Sequence, residues 1–163
     1  MMKLDAVIID IDGTLTHSED IVRLPHGAKF CDLPQDVKDS YYSKVHEHAV
    51  QPDCVEVVWK FLTATPKLIY LTGRDEIRGC VDVRFLTLQW LKKHGFPPAT
   101  LVMRPYGEDG ESHVVKRYLV EQMELKGNIL AIDDEDKNLQ MFHELGFVTM
   151  KSPYCWKRLS GII

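Results

Sequence analysis

Ala6-Val7-Ile8-Ile9 is an unbroken apolar run, mostly β-branched, and it leads straight into Asp10-Ile11-Asp12-Gly13-Thr14. That is the composition of a strand buried on both faces. In an extended backbone, residues i and i+2 point to the same side. Asp10 and Asp12 therefore start on one side of the strand, where the chain leaves its apolar layer. Gly13 permits a bend that sets the second carboxylate outward. Two ionised carboxylates this close repel unless a cation or a shared proton intervenes. The pattern suits phosphoryl transfer. One carboxylate attacks phosphorus, the other handles a proton, and a hard cation neutralises the oxygens.

Further apolar runs alternate with helical patterns. The strand-like runs are Leu4 to Ile11, Lys67 to Leu71, Thr100 to Met103, Asn128 to Ile132 and Phe147 to Met150. This alternation reads as an α/β chain with a parallel sheet. Helices are expected from Pro34 through Val37, Tyr41, Tyr42 and Val45, from Cys80 to His94, from Glu111 to Leu125 and from Asp136 to Leu145. Another begins at Asp53, with Glu56 three residues on as in a capping box. Its buried stripe is expected to be Val55, Val58, Trp59 and Leu62. Thr16 to Arg23 reads as a turn of helix and a loop, and Pro25, Gly27 and Pro34 punctuate the next stretch. The 17–53 segment is long for a connection in a compact α/β unit. The tail from Ser152, with Pro153 and Trp156, has no evident place in the pattern.

The chain has 163 residues, 45% hydrophobic and 27% charged, which fits one soluble domain over residues 1–163. No apolar run reaches the length of a membrane span, so no membrane partner is expected. Met1 to Asp5 leads directly into the first strand, and a cytoplasmic protein without a signal segment is expected. Cys31, Cys54, Cys80 and Cys155 are scattered without a Cys-x-x-Cys pair, which points to reduced thiols. The net charge of −4 argues against avid, non-specific binding to long nucleic acid. It leaves room for local contact with one strand end.

In parallel α/β sheets, ligands bind outside the carboxyl ends of the strands. Asp10 and Asp12 follow the first strand, Thr72 the second, and Asp133 and Asp134 the fourth. Groups distant in sequence thus converge on one edge. Asp10 is the expected nucleophile and Asp12 the proton donor and acceptor; each is otherwise a turn carboxylate. Thr72 and Gly73, read as a strand-to-loop turn, offer a hydroxyl and a backbone N–H to phosphate oxygens. Arg74 binds substrate phosphate or pairs at the surface. Asp134 is the expected metal ligand, with Asp133 beside it.

Asp-x-Asp-Gly-Thr after an apolar strand resembles the first motif of the haloacid dehalogenase-like superfamily of phosphatases. Thr72 resembles its second motif. Lys116, in His113-Val114-Val115-Lys116, stands where the superfamily has its third-motif lysine, and Lys126 is a weaker rival. Asp133-Asp134 stands at the acidic fourth motif, with Asn138 where a second acid is usual. The resemblance implies a three-layer Rossmann-like fold with a central parallel sheet in strand order 5-4-1-2-3 and a small cap inserted at about 17–53. It also implies Mg²⁺ as cofactor, an aspartyl-phosphate intermediate, and metal contacts from Asp10, Asp134, the Asp12 backbone carbonyl, and Asp133 directly, through water or as partner of Lys116.

From Tyr70 to Met150 the chain looks more narrowly like the phosphatase domain of polynucleotide kinase-phosphatases, through Leu71-Thr72-Gly73-Arg74, Leu101-Val102-Met103-Arg104 and Ala131-Ile132-Asp133-Asp134. That resemblance implies a phosphomonoester substrate at a nucleic-acid 3′ end. Gly73, Arg74 and Arg104 are then candidate substrate contacts, with Arg78, Arg84 and His113 behind them. The alternative substrate is a free nucleotide or another small phosphomonoester; a third reading is a non-catalytic phosphate-binding regulator. No Gly-x-x-x-x-Gly-Lys-Ser/Thr loop occurs, so no kinase half is expected here.

Overall fold

The computed structural model describes residues 3–17 and 32–161. The expectations for Arg23, Pro25, Gly27 and Cys31 fall outside the described residues. Five parallel strands form the central sheet: β1 (Ala6–Ile9), β4 (Leu68–Asp75), β7 (Thr100–Arg104), β8 (Ile129–Asp133) and β9 (Val148–Lys151). Their order is β7-β4-β1-β8-β9, which is the expected 5-4-1-2-3 arrangement. β1 sits at the centre, with Ile8 opposite Ile69 on one side and Ala131 on the other.

Side-chain alternation along β1 divides the core in two. Val7 and Ile9 pack with Val57, Val58, Phe61, Trp90 and Trp156. Ala6 and Ile8 pack with Val120, Met141 and Phe142. The first layer comes from α2 (Cys54–Ala64), α3 (Val83–Lys93) and α6 (Cys155–Ser160), the second from α4 (Ser112–Gln122) and α5 (Asp136–Glu144). Burying one such aliphatic side chain contributes about 1.5–3 kcal/mol, which fixes the register of a strand whose two faces are both covered.

A short antiparallel pair, β2 (Thr16–His17) with β3 (Ala49–Val50), follows β1. Thr16 and His17 are therefore strand rather than the expected helical turn, because Thr16 finds a partner in Val50. α1 (Gln35–Ser43) begins after Pro34 as the pattern indicated. Tyr41 and Tyr42 are its buried residues, and Val45 is buried in the 3-10 turn just after it. A second two-stranded element, β5 (Ile77–Arg78) with β6 (Val81–Asp82), leads into α3.

Three further expectations are corrected. Asp53 has a left-handed backbone (φ 64°) and its side chain makes no cap, so no capping box forms. The fully buried face of α2 is Cys54, Val57, Val58 and Phe61, while Val55 and Leu62 of the expected stripe pack partly buried beside it. Trp59 is turned outward, its indole N–H donating to the Gly95 carbonyl at 2.7 Å. Both stripes have helical spacing, and the indole's need for an acceptor agrees with the observed rotation. Thr72 and Gly73 do not lie in a turn: β4 runs through them to Asp75, with its register against β7 shifting between Leu71 and Asp75.

The unassigned tail becomes α6, which packs on α2. Its Trp156 is buried and donates its indole N–H to the Thr14 carbonyl at 3.0 Å, where the Ser152 hydroxyl also donates at 3.1 Å. The tail thus braces the loop after β1. Among the described residues, no helix is long and apolar enough to cross a membrane.

Candidate active site

Because β1, β4 and β8 are parallel neighbours, their carboxyl ends open on one cleft. It has a volume of about 980 Å³ and its lining includes Asp10, Asp12, Gly73, Lys116, Asp134 and Asn138. Lys116 is buried in the second turn of α4 and donates to Asp10 Oδ1 and to Asp133 Oδ2, each at 2.7 Å. A buried ammonium is stable only when paired. Burial lowers the Lys116 pKa, but Asp10 and Asp133 outweigh it and leave the group firmly protonated. Lys126, the rival lysine, is exposed and outside the cleft.

Asp133 is fully engaged. Its Oδ1 accepts from the Glu135 backbone N–H and from Asn138 Nδ2, both at 3.0 Å, while Oδ2 holds Lys116. Asn138 is buried, and its Oδ1 has no hydrogen-bond partner. It therefore orients Asp133 and leaves an acceptor unsatisfied within the lining of the cleft.

Among the described residues, Asp10, Asp133 and Asp134 each offer one carboxylate oxygen, and these oxygens lie within 4.8 Å of one another. Gly13, at φ 76°, makes room for this: a Cβ there would collide with the Asp134 carboxylate. Burial first, then Asp133, pushes the Asp134 carboxyl up to about 7. Burial likewise raises Asp10 well above the usual carboxylate range, against the pull of Lys116. Crowded carboxylates in this condition are relieved by a cation, and an all-oxygen set with an orphaned amide oxygen beside it suits a hard dication such as Mg²⁺.

Asp12 is held by a different set of groups. Arg74 clamps its carboxylate with Nε to Oδ2 and Nη2 to Oδ1, both at 2.7 Å. The Tyr41 hydroxyl donates to Oδ1 at 2.8 Å and the Thr72 hydroxyl to Oδ2 at 3.4 Å. His48 Nδ1 lies 3.5 Å from Oδ1. Burial acts to raise the Asp12 carboxyl, but Arg74 and the hydrogen bonds from His48 and Arg74 hold it well below the usual range. Arg74 is not a surface charge: it is 1% exposed, stands in the cleft lining and also donates to Thr87. Thr72 is buried behind Asp12 and does not line the cleft.

The other candidate contacts divide between the cleft and the scaffold around it. Gly73 lines the cleft, where a Cβ would press on Ser112 Oγ at 3.3 Å, so its lack of a side chain lets α4 begin close to β4. Arg104 also lines the cleft, but its guanidinium gathers the 105–111 loop, donating to the carbonyls of Gly73 at 2.9 Å and Gly110 at 2.6 Å. Arg78 ties α1 to the sheet through Asp75, Gln35 and Asp39. Arg84 pairs with Glu76 and the Leu101 carbonyl, away from the cleft. His113 stands in the cleft lining beside Glu111. Tyr41 and His48 are not sequence candidates: Tyr41 enters only through its helical spacing, and His48 carries no motif.

A central parallel sheet of this order, with four acids and a buried lysine at its carboxyl edge, defines a phosphatase of the haloacid dehalogenase-like superfamily. Within it, the chain belongs to the family of the polynucleotide kinase PNKP phosphatase domain, whose model matches residues 4–154. A chain of the Pnkp1/Rnl/Hen1 RNA repair complex is similar, with a TM-score of 0.66 and 22% identity over 91% of this chain and 42% of its own. A haloacid dehalogenase-like hydrolase from Streptococcus pneumoniae gives a TM-score of 0.61 at 15% identity, covering 93% of this chain and 85% of its own. The D,D-heptose 1,7-bisphosphate phosphatase of B. bronchiseptica, solved with magnesium and phosphate, gives 0.55 at 14% identity, covering 90% and 79%. At these identities the likeness is one of fold. The chain spans less than half the length of the RNA-repair chain it matches. A search of curated protein sequences gives no match.

Proposed function

We propose that this phosphatase hydrolyses phosphomonoesters through an aspartyl-phosphate on Asp10, and that its substrate is a 3′-phosphate at a nucleic-acid end. The observation that carries the reading is the Lys116 ammonium held 2.7 Å from Asp10 beside the Asp133-Asp134 pair. An Asp10 oxygen attacks phosphorus, the ester P–O bond breaks, and the leaving oxygen takes a proton from Asp12. Water then attacks the phosphoenzyme, Asp12 receives the water's proton, and inorganic phosphate leaves with Asp10 restored.

Lys116 keeps Asp10 oriented and offsets charge on the transferring oxygens. Asp10 and Asp134 are the side chains to hold Mg²⁺, with the Asp12 carbonyl, while Asp133 serves chiefly to hold Lys116. When bound, the ion polarises the phosphoryl oxygens and relieves repulsion among the acids. Asp12 as described suits the base of the second step. Its service as acid in the first requires it to take up a proton and turn from Arg74 towards the leaving group. Thr72 acts through Asp12, and Gly73 is the backbone site for a phosphate oxygen.

The 3′-end reading rests on the family of the matching model. A second reading, hydrolysis of free nucleotides or small phosphomonoesters, is favoured by the acids in the cleft lining, Glu108, Asp109, Glu111, Glu135 and Asp136, which repel further phosphates of a strand. A panel of 3′-phosphorylated oligonucleotides, mononucleotides and sugar phosphates with Mg²⁺ separates the two. Higher kcat/KM on the oligonucleotides supports the first reading, higher kcat/KM on mononucleotides the second. Retained phosphate binding without any turnover would leave the regulatory role.

A further inference from the structure

The acids gathered at the cleft belong to two separate loops. Asp10 and Asp12 lead into the loop after β1, and Asp133 and Asp134 stand at the end of β8. β9 is the edge strand of the sheet, with β8 between it and β1. Ser152, the residue just after β9, nevertheless touches both loops. Its backbone N–H donates to the Asp133 carbonyl at 3.0 Å, and its hydroxyl donates to the Thr14 carbonyl at 3.1 Å. The Gly13 carbonyl lies 3.5 Å from the same hydroxyl. Ser152 is buried, so water does not compete for these bonds. All of them go to main-chain carbonyls, and Ser152 therefore acts on the acids through the backbone that carries them.

Two further contacts stiffen this bridge. Trp156, also buried, donates to the same Thr14 carbonyl at 3.0 Å. Gly13 lets the Asp134 carboxylate pack against the backbone of the first loop, where a Cβ would collide with it. The loop after β1 is thus fixed at Thr14 by the tail and at Gly13 by the carboxylate beside it. Mg²⁺ demands near-octahedral oxygen ligands at about 2.0–2.1 Å, whereas Ca²⁺ accepts looser shells at about 2.3–2.6 Å. Loops held at one close spacing favour the smaller ion, and loops free to part favour the larger. Resting on the reading of Asp10, Asp134 and the Asp12 carbonyl as the holders of Mg²⁺, we propose that Ser152 is a positioning residue that sets the spacing of the two loops and so biases the site towards Mg²⁺ over Ca²⁺.

Thermal melts of the whole chain at pH 8, run against MgCl₂ and CaCl₂ in turn, read the two affinities without any turnover, since Tm rises with ion concentration according to Kd. Ser152→Ala keeps the backbone N–H and removes only the hydroxyl. Its Kd for Mg²⁺ should weaken about tenfold, as for groups that orient metal ligands, while its Kd for Ca²⁺ moves far less. Trp156→Phe loses the other donor to the Thr14 carbonyl and should shift the ratio of the two affinities in the same direction; it supplies the reading if Ser152→Ala does not fold. A lower Tm in EDTA with the ratio as in wild type would make Ser152 a stabiliser of the fold alone and overturn the proposal. An unchanged response to both ions would overturn it as well, with the metal site left standing. If the wild-type Tm answers neither ion, the metal reading itself fails, and the role of Ser152 falls with it.

Discussion

Asp10 and Asp12 are two residues apart, yet the structure gives them opposite surroundings. Asp10 shares one ammonium with Asp133, and burial pushes its carboxyl upward. Asp12 lies in the fork of Arg74 and is held ionised. Asp10→Asn is accordingly expected to abolish turnover with the far-ultraviolet circular dichroism unchanged; ordinary activity would remove Asp10 as nucleophile. Lys116→Met leaves two buried carboxylates without their cation. Removing one partner of a buried pair costs about 3–5 kcal/mol, to be read as a lower urea midpoint. Phosphatase activity should fall at least ~100-fold along with it. Unaltered stability in that variant would contradict the bridging role of Lys116.

At the scale of elements, the strands were the most legible part of the chain. Their buried runs are short, apolar and bounded by turn residues, and all five stand within a few residues of where the sequence placed them. The facing of helices was less legible. Along α2 two apolar stripes compete, and the partner of Trp59 at Gly95 comes from a distant segment. The contribution of α1 was hidden for the same reason, because Tyr41 meets Asp12 across 29 residues of sequence. Arg78 fastens this helix by bonds to Gln35, Asp39 and Asp75. Arg78→Ala should loosen α1, hasten limited proteolysis within residues 33–47, and lower kcat about tenfold as Asp12 loses its Tyr41 hydrogen bond. Proteolysis and kcat both matching wild type would show that α1 docks without Arg78.

For the whole molecule, the crowded acids tie folding stability to pH and to metal. Asp134 is pushed up to about 7, and Asp10, Asp75 and Glu135 are also raised. A carboxyl raised in the folded state binds more protons there than in the unfolded chain. Its stabilising contribution is complete below the unfolded pKa near 4 and declines as pH rises to the folded value. The Tm in EDTA should therefore drop between pH 5 and pH 8, and Mg²⁺ should raise it most at pH 8, where the acids are ionised. Equal Mg²⁺ stabilisation at both pH values, in parallel thermal melts, would count against a cation among Asp10, Asp133 and Asp134.

What the sequence alone determined was the strands and the edge on which Asp10, Asp12, Asp133 and Asp134 gather, because apolar periodicity and the exit points of strands are local properties; the order of the strands came only from the family resemblance. What the tertiary structure decided was who meets whom there. The pairing of Arg74 with Asp12 depended on contacts made across distant parts of the chain. So did the recruitment of Tyr41 and His48, and the bracing of the first loop by Trp156. Such pairings depend on burial and on the distances left after the layers have packed, and neither is written in the spacing of residues along the chain.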